Sequence, residues 1–134
     1  MKSISIVHAG DAPVRTSPLR GRDGEIGPHT AHVRQFFPAD GETLELKRVT
    51  LPPGAVIVPH RHDSAEVLYV VEGSLAFGAQ SCQPGSAVYV AAEARYGFVA
   101  GSEGCTFLNF RGVVRTSIRY AADHARSDEP ERSP

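Results

Sequence analysis

The chain has 134 residues, with 14 Lys and Arg against 15 Asp and Glu and a formal net charge of −1. That balance gives a phosphate backbone no field to recognise, which argues against nucleic-acid binding, while 41% hydrophobic and 22% charged residues exclude wholesale disorder and fit one globular domain. No stretch approaches the roughly 20 apolar residues of a membrane helix, and the opening ten residues lack a basic flank followed by an apolar block, so the expectation is a soluble, cytoplasmic protein with no membrane contact.

Residues 3–8 alternate Ile4 and Ile6 with small or polar neighbours, which predicts a short strand. Residues 9–30 contain Pro13, Pro18, Pro28 and several glycines, and read as an irregular arm. Such an arm wraps a neighbouring subunit, covers a cavity or forms a plain surface loop, and its Arg15, Arg20 and Arg22 are expected to face solvent. The first 31 residues are therefore set apart from the rest of the chain. From residue 32, runs rich in Val, Ile, Leu, Phe and Tyr recur at 32–37, 43–51, 55–59, 66–71, 74–77, 87–90, 96–99, 106–110 and 113–120. Each is bounded by Gly, Pro or Asp, and nothing between them shows a helical period.

The pattern predicts an all-β sandwich or barrel over residues 32–120, with turns at Ala39-Asp40-Gly41, Glu72-Gly73 and Gln83-Pro84-Gly85. Residues 121–134 hold no aliphatic side chain larger than alanine and are expected to be a disordered tail. Cys82 and Cys105 are far apart in sequence and read as small buried hydrophobes, not as a disulfide or a zinc knuckle.

One segment carries chemistry: Gly54, five residues, His60, one, His62, three, Glu66, six, Gly73. Side chains two apart on a strand share a face and stand about 6.5–7 Å apart along it, so the two imidazoles can converge on one point. A turn through Asp63 and Ser64 brings Glu66 in on the neighbouring strand. Two neutral imidazoles and a carboxylate suit a divalent Fe, Mn, Ni or Zn ion.

This spacing resembles the first motif of the cupin superfamily at every defined position, which implies a cupin-type jelly-roll β-barrel. The second cupin motif, whose histidine completes the usual metal site, is degenerate. Counted from Gly85, its proline, glycine, histidine and asparagine positions hold Ala91, Glu93, Tyr96 and Ala100, so the turn before Tyr96 is expected to be built differently. Three roles for Tyr96 stay open: metal ligand as phenolate, hydrogen-bond donor or acid/base beside the metal, or a bystander to a site of His60, His62 and Glu66 alone. His29 and His32 are candidates for a further nitrogen ligand, with exposed strand-end histidines as the plainer reading.

Period two places Phe98 on the face of Tyr96 and groups Phe107, Asn109 and Arg111, which makes Phe98, Phe107 and Asn109 candidate pocket residues. The resemblance implies a metal-dependent enzyme of dioxygenase, lyase or isomerase type acting on a small oxygen-containing molecule. A non-catalytic binding or sensory cupin, and a metal-free isomerase using histidine and tyrosine, are the competing readings. A homodimer is the oligomeric state that the resemblance implies.

Overall fold

The computed structural model describes residues 3–113 and 119–120. Apart from a 3-10 turn at Ala9–Asp11, its regular structure is all strand: β1 (Val14–Arg20), β2 (Ile26–Phe37), β3 (Glu45–Leu51), β4 (Val56–Arg61), β5 (Glu66–Phe77), β6 (Gln80–Cys82), β7 (Ala87–Val90), β8 (Tyr96–Arg111) and β9 (Arg119–Tyr120). All pairings are antiparallel, in the order β1-β2-β3-β8-β4-β9, with β5 bridging β8 to β6 and β7. β8 folds this sheet back on itself, because residues 105–111 lie between β3 and β5 while residues 96–99 pair with β4. The result is the expected jelly-roll barrel.

Alternation along the strands fills the interior. Leu51, Leu68, Val70 and Leu75 are completely buried, and Val33, Val49, Phe98, Ala100 and Phe107 complete the core around them. Cys82 and Cys105 belong to this core as free thiols, and burial pushes Cys105 up to about 11, which keeps it protonated.

Two motif glycines have backbone reasons. Gly54 has φ +73° at the third position of a turn closed by the Ala55 amide donating to Pro52 O at 3.1 Å, as a type II turn requires. Gly73 has φ +72°, and a Cβ there would lie 2.1 Å from the Gly104 carbonyl oxygen.

Several expectations are corrected. Residues 3–8 form no strand, and Ile4 and Ile6 are exposed. The expected irregular arm contains β1 and the start of β2, which pair as a hairpin and extend the sheet. Pro18 fits because β1 lies at the sheet edge and its register shifts between Pro18 and Arg20. The Glu72-Gly73 turn does not form: 66–71 and 74–77 are one strand, as are 96–99 and 106–110. Register shifts of β5 against β8 at 70/72 and 73/75 absorb the bend. The tail at 121–134 and most of the predicted strand at 113–120 lie outside the described residues.

Candidate functional site

The antiparallel register sets side chains across the inner face in rows. Deepest is Leu51 opposite Cys105; above it stand Val33, Val49, Phe107 and Val70, then Gln35, Lys47, Asn109 and Leu68, then Glu45, Arg111 and Glu66. The face thus grades from apolar floor to charged upper rows. It encloses a cavity of about 400 Å³, also lined by Arg15, Ser17 and Leu19 of β1 and by Ile57, His60, His62, Tyr96 and Phe98.

On one wall of this cavity the motif residues meet. His60, at the end of β4, pairs with Tyr96 of β8, and its ring packs edge-on against His62 with centroids 5.0 Å apart. Both histidines and Glu66 are buried. His60 Nδ1 lies 2.8 Å from Val58 O; a carbonyl only accepts, so Nδ1 carries the proton and Nε2 keeps its lone pair. Burial lowers the His60 pKa against the opposing pull of that carbonyl and of Glu66, which favours the neutral ring.

Glu66 is the hub of the cluster. Its Oε2 accepts from Tyr96 Oη at 2.8 Å and lies 3.4 Å from His62 Nε2, while Oε1 accepts from Asn109 Nδ2 at 2.6 Å and lies 3.8 Å from Arg111 Nε. Burial, then the charge and hydrogen bond of Glu66, push the Tyr96 phenol far above its ordinary range, so it holds its proton. Phe98 stacks on Tyr96 with rings 12° from parallel, and Phe107 meets Phe98 edge-on. Tyr96, Phe98, Phe107 and Asn109 therefore all face the cavity as period two predicts. Asn109 spends its amide on the Glu66 carboxylate.

Glu93, standing where the second motif has glycine, adopts φ 67° and donates its amide to His62 O at 2.7 Å. The left-handed conformation that glycine favours is thus present without glycine. Arg61 faces away from the cavity, 3.6 Å from Glu93. His29 and His32 line other, separate hollows and do not reach the cluster. Residues that line the cavity without having been named as pocket candidates are Arg15, Glu45, Lys47 and Arg111. Parity with Val49 and Leu51 on β3 was the available signal for Glu45 and Lys47, and period two already groups Arg111 with Phe107.

Among the described residues, no three His, Cys, Asp or Glu side chains already stand within reach of one ion. His62 and Glu66 come nearest. Two ligands about 2.1 Å from a tetrahedral ion are about 3.4 Å apart, which is the separation of His62 Nε2 and Glu66 Oε2. The donor set therefore suits a divalent ion in kind and in one edge.

Residues 47–110, just under half of the chain, match the family model described as a cupin domain. The barrel is a cupin domain. Its fold resembles the polyketide cyclase RemF from Streptomyces resistomycificus, with TM-score 0.67 and 21% identity over 89% of this chain and 86% of that one. It also resembles an RmlC-like cupin from Shewanella frigidimarina, with TM-score 0.64 and 18% identity over 84% and 94% of the two chains. Oxalate decarboxylase from Bacillus subtilis aligns with TM-score 0.66 and 19% identity, covering 97% of this chain and 35% of that chain. No curated protein matches the sequence. Among the described residues, no helix is long and apolar enough to cross a membrane.

Proposed function

We propose that this cupin pocket is the active site of a metal-dependent enzyme acting on a small oxygen-bearing organic molecule. In this reading His60, His62 and Glu66 hold a divalent ion and Tyr96 donates a proton. The observation that carries it is the meeting of two buried imidazoles, a buried carboxylate and a phenol on one wall of a cavity with an apolar floor. Two proteins of similar fold bear enzyme names, a cyclase and a decarboxylase, which supports a catalytic reading.

A bound divalent ion supplies Lewis-acid polarisation of a substrate oxygen, and Fe, Mn, Ni and Zn all suit the donors. The chain's own residues do the rest. The Val58 carbonyl fixes the His60 tautomer, with the proton on Nδ1 and Nε2 the basic nitrogen. Asn109 and Tyr96 hold the Glu66 carboxylate in place. Tyr96 keeps a proton at Oη beside the position a substrate oxygen takes, and Phe98 stacks on its ring.

A second reading has its own support, since both Glu66 oxygens already accept hydrogen bonds. Here no ion is needed: His60 Nε2 takes a proton and Tyr96 Oη gives one, as in an isomerase. Metal content of the full chain purified without chelator separates the two. The first reading expects about one ion per chain, lost in a folded His60→Ala variant and kept in Tyr96→Phe. No ion, even after anaerobic addition of Fe(II), Mn(II), Ni(II) and Zn(II), overturns it in favour of the second.

A further inference from the structure

The cavity holds a second polar cluster, about Lys47, which the proposed metal chemistry leaves unused. We propose that Lys47 and Arg111 form an anion subsite that takes the carboxylate of a small organic acid, whose apolar body lies on Val49, Leu68, Phe98 and Phe107. The proposal rests on the pocket being a substrate site and names the class of substrate.

Three observations carry it. First, Lys47 and Arg111 side chains are only 14% and 13% exposed, and both line the cavity. A buried cation is costly unless it is paired and hydrogen-bonded. Second, their pairing is incomplete. Lys47 Nζ lies 3.7 Å from Glu45 Oε2, and Arg111 Nε lies 3.6 Å from Glu45 Oε1 and 3.8 Å from Glu66 Oε1, all beyond hydrogen-bond length. Among the described residues Arg111 Nε is buried without a hydrogen-bond partner, as is Glu45 Oε1. The ammonium and guanidinium thus carry donors that Glu45, tied instead to Gln35 at 3.0 Å, does not take. Third, Arg15 adds an exposed positive charge at the cavity, beside Lys47 and Arg111. A carboxylate's two oxygens match the two unspent donor groups.

The register explains the placement. Lys47 stands directly opposite Asn109, and Arg111 opposite both Glu45 and Glu66, so the subsite lies next to the wall that holds His60 and Tyr96. Leu68 stands level with Lys47, and just below begin Val49 and Phe107. A molecule with an acid group at one end and an apolar body reaches both regions of the cavity.

The test is calorimetric titration of the full chain with benzoate, benzamide and inorganic phosphate, run as purified and again after dialysis against chelator. The expected result is that benzoate binds in both preparations, and that benzamide and phosphate bind about tenfold more weakly or worse. Lys47→Met and Arg111→Gln, each checked for folding by circular dichroism, should lose about tenfold in benzoate affinity with benzamide unchanged. Lys47→Gln serves if the methionine variant does not fold. Equal binding of benzoate and benzamide, no benzoate binding, or benzoate affinity indifferent to both substitutions overturns the subsite. Benzoate binding that vanishes on chelation also overturns it, by placing the acid on an ion, while leaving the metal reading intact. A chain that takes up no metal yet discriminates benzoate through Lys47 keeps the subsite and discards the ion.

Discussion

Replacing Lys47 by Met should make the ligand-free protein more stable while weakening its hold on acids. Burial, reinforced by Arg111 and opposed by Glu45, lowers the Lys47 pKa from 10.5 to about 8. At neutral pH the folded chain still carries the ammonium, at a cost. A fall from 10.5 to about 8 corresponds to roughly 3 kcal/mol at about 1.36 kcal/mol per pH step. Met keeps the apolar stem, but its substitution leaves Glu45 with one cation fewer, so the expected net gain is about 2 kcal/mol.

The sign with pH comes from proton binding. Between about 8 and 10.5 the unfolded chain holds more protons on this lysine than the folded one, so wild-type stability gains from Lys47 as pH rises through that window. The variant lacks that rise, and its advantage is largest below pH 8 and fades toward 10.5. Glu45, Arg111, Arg15 and Glu66 are the other charges facing this group or acting on it. Urea unfolding of both proteins from neutral to alkaline pH measures the difference. A variant less stable than wild type at neutral pH, or two stability profiles that run parallel across the window, refutes the reasoning.

Gly73→Ala should cost about 3 kcal/mol or more, because the new methyl meets the Gly104 carbonyl at a backbone angle that disfavours side chains, and thermal unfolding reads the loss. Tyr96→Phe should cost about 1–2 kcal/mol in urea unfolding, since a buried carboxylate loses one of its two close donors. Static light scattering should give a homodimer mass at micromolar concentration. Among the described residues β1 pairs only with β2 and leaves a sheet edge for a second copy, and a monomer mass removes the expectation.

The sequence motif located the cluster because each of its requirements is local. His60 and His62 share a strand face, Gly54 and Gly73 need positive φ, and Glu66 comes one short turn later. Period two groups Phe98 with Tyr96 and Asn109 with Phe107, and all four line the cavity. What escaped was non-local. Pro13, Pro18 and Pro28 make residues 9–30 look broken, yet Pro18 is tolerated at a register shift on an edge strand, which only the partner strand reveals. Glycines inside β5 and β8 look like turns in isolation, whereas tertiary pairing runs both strands through them. Lys47 draws no assignment and Arg111 is only grouped with Phe107 and Asn109, because charged residues are seldom buried, and the register across three strands sets both inside.

X-ray absorption of the full chain loaded with a single divalent metal tests the central claim most directly, because it sees the ion's ligands themselves. The account predicts an ion bound by oxygen and nitrogen at about 2.0–2.2 Å, with outer-shell scattering from two imidazoles that falls to one in His60→Ala. A spectrum with no imidazole scattering, or one that His60→Ala leaves unchanged, contradicts it.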